Sequence, residues 1–363
     1  MKIVVYPKDP NPYQDLLYSS IKDRHTTDKI TFMSGPTKYQ TINLFFLPFQ
    51  LILYRLFGYD IFHIHWFYTF EIPKLNNRLT QWLMMYYCVS FVYFVKMLGF
   101  KLVWTVHETI SPTALTDREK SISKYISQFT SIIADAKIIH SSVVINEMLD
   151  NGLNTDRTFI VPHGSYKNVY PDSITRKKAR EELKIKSHEK MVLFFGLVRP
   201  YKGVDDLILA FSKLKLPNLR LVIAGKCIDN ELLRRIQSLH NAVEFDFYDE
   251  YIADEDVSKY FKASDIVCLP FKSITTSGST LLALSFGKPI IAPRLGALVD
   301  LPSNVGYLYD MQRPGSLETC LRKALKSNKH LSNIGKNSKS YVDTLSWDKI
   351  ADKTYTVYED VLK

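Results

Sequence analysis

Short, nearly uninterrupted apolar runs alternate along the chain with longer segments in which apolar residues recur at helical spacing. In the first half such runs cover residues 2–6, 60–65, 101–107, 136–141 and 158–162. In the second half they cover 191–195, 220–224, 243–247, 266–270, 289–292 and, weakly, 306–309. A strand buried on both faces reads as such a run, and strands alternating with helices predict parallel sheets covered on both sides. Two doubly wound α/β sheets in series account for the pattern. The break falls at 166–174, where Pro171, Asp172 and Ser173 interrupt it, giving domains at 1–170 and 171–345. A charged helix at 176–183 opens the second, and 204–214 reads as a helix behind strand 191–195. The tail 346–362 is amphipathic, with Trp347, Ile350, Tyr355, Tyr358 and Leu362 as apolar anchors. A helix with those anchors docks on the body, with the first domain as one candidate surface.

Length agrees with two domains, because 363 residues exceed what a single core usually supports. No repeat of 20 to 50 residues is present, which excludes solenoids and propellers. Cys88, Cys227, Cys268 and Cys320 are scattered without the close pairs of zinc or redox sites, and read as reduced thiols of a cytoplasmic protein. Residues 1–7 are too short an apolar run for a secretory signal and read as a first strand. The net charge of +10 allows nucleic acid, an anionic membrane face or a phosphorylated ligand. No zinc-finger, RNP or basic-helix pattern accompanies the charge, so nucleic acid is disfavoured.

Two segments, 42–57 and 82–98, are unusually apolar and aromatic. The second is uncharged from Trp82 through Val95, shorter than the roughly 20 residues a bilayer crossing needs. Each is either a helix buried against a sheet or an interfacial helix, with Arg55, Arg78, Lys96 and Lys101 near anionic lipid.

The most specific chemistry lies at 194–203, Phe-Phe-Gly-Leu-Val-Arg-Pro-Tyr-Lys-Gly. A buried strand ends at Gly196, and Arg199 and Lys202 follow at the mouth of the next helix. Ligands of open α/β sheets sit at the carboxyl ends of the strands, where helix amino termini present free N–H groups. Two cations there suit phosphate oxygens; a solvated basic turn is the alternative. The turn Thr276-Ser277-Gly278-Ser279-Thr280 precedes a helix at 281–286. Its small residues permit close approach of a diphosphate or sugar, and a Ser/Thr helix cap is compatible with that role.

Taken in order, these pieces resemble the GT-B glycosyltransferases, and within them the family 4 (glycosyl transferases group 1) enzymes. The resemblance rests on 195–203, on Leu-Val-Ile-Ala-Gly at 221–225, on Ala-Ser-Asp-Ile-Val-Cys-Leu-Pro-Phe at 263–271 and on 276–292. First-half echoes are 60–66, 105–108 and 161–164. It implies two Rossmann-like domains facing across a cleft, the second holding a nucleotide-sugar donor and the first an acceptor. By resemblance Arg199 and Lys202 neutralise the donor diphosphate, with Gly196, Gly225 and the 276–280 turn beside it. The backbone at Tyr251 and Ile252 meets the base. Fixed cations stabilise a diphosphate leaving group without a metal, so neither metal nor cofactor is expected, only the nucleotide sugar as co-substrate. The sequence departs from the family at its paired glutamates: the aligned positions are Ile274 and Leu282. That opens the ribose contact and the retaining stereochemistry to question.

If the anomeric centre inverts, a general base must take the acceptor's hydroxyl proton. His107 and Glu108 stand at the carboxyl end of strand 101–107. An imidazole of ordinary pKa near 6.5 suits the task, while Glu108 needs a raised pKa or orients the imidazole. Alternatively His107 only hydrogen-bonds a loop or a sugar hydroxyl. His65 and His163 read as positioning residues, and the proline-stiffened loop 7–13 brings Asn11 and Tyr13 to acceptor or sugar, or is merely a turn.

The expected activity is that of a metal-independent, hexosyltransferase-type enzyme of cell-surface polysaccharide or glycoconjugate synthesis. Its partners are a nucleotide sugar and a saccharide acceptor, lipid-linked on polyprenyl diphosphate. Its expected place is cytoplasmic, with peripheral contact at the inner membrane face. The alternative is a non-catalytic nucleotide-sugar-binding protein of the same fold.

Overall fold

The computed structural model describes residues 1–9, 11–25, 28–34, 40–66, 78–111, 114, 116–241, 243–326 and 328–363. Side chains at 34, 40–45 and 328 lie outside that description, so the apolar segment at 42–57 and the loop at 7–13 are covered only in part. The chain divides into two units, Met1–Gly164 with Ser346–Lys363, and Ser165–Leu345.

The first unit carries β1 (Lys2–Lys8), β2 (Lys29–Ser34), β3 (Ile61–Ile64), β4 (Lys101–Thr105), β5 (Ala136–Ile139) and β6 (Thr158–Ile160). Their order is β2-β1-β3-β4-β5-β6, with every pair parallel. Central strands such as β3 are buried along their whole length, which is why they read as plain apolar runs. Strand β2 had no such signature: it is an edge strand in which Lys29, Thr31 and Ser34 interrupt the apolar residues. The second unit carries β7 (Lys190–Phe195), β8 (Leu219–Ala224), β9 (Asp246–Tyr248), β10 (Ile266–Cys268), β11 (Ile290–Pro293) and β12 (Gly306–Tyr309). Its order is β12-β11-β10-β7-β8-β9, again all parallel. The edge strand β9 begins later than the apolar run at 243–247 suggested.

Helices cover both faces of the first sheet. On one, Leu47 and Leu51 of Gln40–Leu56 and Phe91, Val92 and Val95 of Arg78–Met97 pack on Val4, Phe62 and Leu102. On the other, Leu17 and Ile21 of Pro12–Arg24 and Ile350, Val357 and Val361 of Trp347–Leu362 pack on Ile3, Val5 and Val103. Arg24 clasps Asp352 between these two helices at 2.6 Å. The tail's apolar face differs from expectation at its end: Leu362 is exposed and Val361 is the buried anchor. The unit boundary lies at Gly164/Ser165, upstream of residue 170, because Ser165 N donates to Leu345 O and Tyr166 N to Ser285 Oγ.

The two aromatic helices are neither fully buried nor free. Their inner faces join the core, while Phe49, Leu53, Leu56, Leu79, Leu83, Tyr86 and Tyr93 remain exposed. Among the described residues, no helix is long and apolar enough to cross a membrane. All four cysteines are buried free thiols.

Candidate active site

In the second unit the ends of β7 and β8 meet backbone against backbone. A Cβ on Gly225 (φ +145°) would stand 2.1 Å from Gly196 O, so only glycine fits there. Gly196 N donates to Ala224 O and Gly225 N to Tyr248 O, locking the two turns to neighbouring strands. Ser279 Oγ lies 3.5 Å from where a Cβ on Gly196 would be. The fold therefore brings Gly196, Gly225 and Ser279 together at one strand end.

The chain then passes Arg199 into a single 3-10 turn, Pro200–Lys202, closed by Gly203 in the left-handed region. A Cβ on Gly203 would meet Pro270 O at 2.1 Å, and Lys272 N donates to Tyr201 O. Those contacts fix the basic turn on the loop after β10. The Lys202 ammonium lies 4.6 Å from the Phe271 ring centroid, a cation–π contact that helps hold its stem. Arg199 Nε is buried and has no hydrogen-bond partner among the described residues. A buried donor left unsatisfied costs free energy, and an anion's oxygen removes that cost.

The turn 276–280 does act as a cap: Ser277 Oγ accepts from Thr280 N at 3.1 Å and from Thr280 Oγ1 at 2.9 Å. The helix it opens, Gly278–Ser285, starts earlier than 281, which puts Gly278 and Ser279 in its first turn. The buried side chain of Tyr166 closes over it: a Cβ on Gly278 would stand 3.0 Å from the phenol oxygen. Thr276 is half-buried beside the cap. Leu282 faces the core and Ile274 is half-buried, its carbonyl packed against Gly296. Tyr251 and Ile252 follow β9, Tyr251 with its side chain 72 % exposed and Ile252 half-buried.

In the first unit, parallel strands deliver histidines to one rim. His65 follows β3, His107 follows β4, His140 follows β5 and His163 follows β6, while His63 sits one turn of the pleat below His65. His140 Nδ1 meets Val161 O at 2.8 Å, and its Nε2 lies 3.4 Å from His107 Nδ1. His107 Nε2 is 3.1 Å from His65 Nδ1, and His65 Nε2 is 2.8 Å from the Tyr18 hydroxyl. Tyr18 also touches His63 Nδ1 at 2.7 Å, and His63 Nε2 is 2.8 Å from Thr105 Oγ1. Tyr13 fills the centre, its ring edge-on to His65, His107 and His140 and tilted 4.8 Å from His163. Trp66 stacks on His107 at 4.3 Å.

Burial holds all these imidazoles neutral: it pushes His63 and His163 down to about 3 and His140 to about 4, and His65 and His107 well below their ordinary value. The ordinary pKa assumed for His107 therefore does not apply, and both its ring nitrogens are already held by histidines. Glu108 beside it is half-buried. Asn11 is the cap of Pro12–Arg24, accepting from Tyr13 N at 3.0 Å. Tyr18, His63 and His140 escaped the sequence reading, and Tyr358 entered it only as an apolar anchor of the tail. The signal for His140 was present, since it too ends a strand; Tyr18 lies on a helix whose docking no local pattern reveals.

Among the described residues, no three His, Cys, Asp or Glu side chains are grouped to hold a metal ion. Residues 175–341 match the family "Glycosyl transferases group 1". The GDP-mannose:glycolipid 4-beta-D-mannosyltransferase of Xanthomonas campestris pv. campestris is 22% identical over 310 residues, 84% of this chain and 80% of that one. Sucrose-phosphate synthase from Thermosynechococcus elongatus superposes with a TM-score of 0.74 at 17% identity, covering 99% of this chain and 98% of that one. Anabaena Alr3699/HepE, solved in complex with UDP and glucose, gives 0.74 at 15% identity over 99% of each chain. With two parallel six-stranded sheets the chain has the GT-B fold, and its residues 175–341 match the glycosyl transferases group 1 family.

Proposed function

We propose that the chain moves a hexose from a nucleoside-diphosphate sugar to a saccharide acceptor carried on polyprenyl diphosphate, in cell-surface polysaccharide or glycoconjugate synthesis. The observation that carries the donor half is Arg199, whose buried Nε lacks a partner at the mouth of a glycine-walled strand end. With Lys202 and the N–H groups of helix Gly278–Ser285, it supplies fixed positive charge to a leaving diphosphate, without a metal. On the acceptor side Glu108 takes the hydroxyl proton, because the ring nitrogens of His107 are already engaged. The Xanthomonas relative, named for a glycolipid acceptor, and the exposed aromatic helices of the first unit support a lipid-linked acceptor met at a membrane surface.

Thermal stabilisation by a panel of nucleoside diphosphates tests the donor half, since a ligand of the folded state raises its stability by about 2.7 kcal/mol at a hundred times Kd. A raised melting temperature that Arg199→Ala abolishes is expected; no response to any diphosphate contradicts it. A second reading, a non-catalytic nucleotide-sugar-binding protein, draws on the apolar Ile274 and Leu282. It predicts the same stabilisation with no sugar transfer.

A further inference from the structure

One backbone carbonyl dictates the proton positions of four buried histidines. Val161 O can only accept, so His140 Nδ1 carries the proton, and its Nε2, in a neutral ring, is bare. The 3.4 Å contact then makes His107 Nδ1 the donor and His107 Nε2 bare. By the same step His65 Nδ1 donates to His107, and His65 Nε2 accepts the single hydroxyl proton of Tyr18. Tyr18, with that proton spent, touches His63 Nδ1 at 2.7 Å; two lone pairs at that distance would repel, so His63 Nδ1 also carries its proton. Its bare Nε2 receives the Thr105 hydroxyl. The Tyr358 hydroxyl, 2.6 Å from His63 Nδ1 and 3.3 Å from Tyr18, completes the head of the chain from the C-terminal helix.

We propose that Val161 O, through His140, positions His107: it holds His107 as the Nδ1–H tautomer with Nε2 occupied by His65, making His107 a fixed platform and not a proton acceptor, and Tyr18 closes the far end of the line as donor to His65. The arrangement admits no alternative direction, because the last acceptor is a carbonyl. A proton added to His140 or His107 sets N–H against N–H and breaks the line, whereas one on His65 or His63 meets a hydroxyl that can turn to accept it. Around the four imidazoles stand Tyr13, Tyr18, Tyr358, Thr105, Val161 O, the Trp66 ring and His163, whose ring centroid lies 5.4 Å from that of His140. Burial, which disfavours the charged form, keeps the line neutral. The role in transfer rests on the glycosyltransferase reading; the tautomers do not.

Long-range 1H–15N correlation on the full chain labelled with 15N-histidine reads the tautomers directly, with single His→Gln variants for assignment. The expected result at pH 7 is Nδ1–H for His63, His65, His107 and His140. Nε2–H or imidazolium at His107 overturns the proposal, whatever the protein's activity. Tyr18→Phe keeps the ring's volume and removes only the donor to His65, so His65 and His107 should keep Nδ1–H while the unit stays folded. Nε2–H signal at His65 or His107 in a folded Tyr18→Phe protein would give the direction of the line to Tyr18 and refute the role of Val161 O. Should that variant unfold, the wild-type spectrum still decides the tautomer of His107.

Discussion

The Tyr18 hydroxyl and His65 Nε2 lie 2.8 Å apart, joining helix Pro12–Arg24 to the end of β3. The contact closes one end of a hydrogen-bonded line whose direction Val161 O sets, and it joins that line to the histidines on which acid stability depends.

The pH dependence follows from the sign of the shifts. The folded pKa values of His63, His65, His107, His140 and His163 lie below the unfolded value of about 6.5. Below pH 6.5 the unfolded chain therefore binds protons that the folded unit refuses. Their stabilising contribution is complete above that pH and falls as the pH drops toward the folded values, about 4 for His140 and about 3 for His63 and His163. Each histidine contributes a slope of up to about 1.4 kcal/mol per pH unit. All four tryptophans, Trp66, Trp82, Trp104 and Trp347, lie in the first unit. Urea unfolding followed by their emission should show a midpoint falling steeply between pH 7 and 5; a flat midpoint contradicts the neutral line.

Gly225→Ala should cost more than about 3 kcal/mol, because the new methyl would sit on Gly196 O and no side chain can yield. Gly315→Ala, also at positive φ but with nothing within 4 Å, should cost only about 1 kcal/mol. Equal losses in calorimetric unfolding would show that the meeting of β7 and β8 is looser than described.

Arg199→Ala should weaken nucleoside-diphosphate binding by roughly 10- to 100-fold, the worth of one or two charge-assisted hydrogen bonds. Titration calorimetry at fixed salt reads it. Glu108→Gln, in contrast, should leave that affinity intact and lower kcat by about 100-fold or more. A variant at Glu108 with normal turnover would remove it from the chemistry.

Membrane contact is checked by vesicle flotation. Trp82, Leu83 and Tyr86 are exposed on helix Arg78–Met97, whereas Phe94 packs on the core. Changing the first three to serine should release the protein from anionic vesicles while leaving unfolding unaltered. Unchanged flotation counts against the surface.

Much of this architecture was legible from local pattern. Buried central strands announce themselves as apolar runs, and the Arg199–Lys202 turn and the 276–280 turn each stand between a strand and a helix in the second half of the sequence. Edge strands β2 and β9 were obscured, since one side of an edge strand meets solvent and admits Lys29, Thr31 or Asp246. Least legible was the histidine line. Each member sits at an ordinary strand end, and their meeting depends on parallel register and on Tyr18 and Tyr358, which are 340 positions apart in the chain. The change in His107 from ordinary to suppressed basicity comes from burial, a property no single segment carries.

Glycosyl transfer itself is measured most directly by incubating the protein with membranes, or with polyprenyl-diphosphate saccharides, and a panel of nucleotide sugars labelled in the hexose. Label should pass from at least one donor into the lipid-extractable fraction, with the matching nucleoside diphosphate released and both signals lost in Arg199→Ala. Stabilisation by that nucleotide sugar with no label transferred to any acceptor would contradict the transferase reading and leave a binding protein in its place.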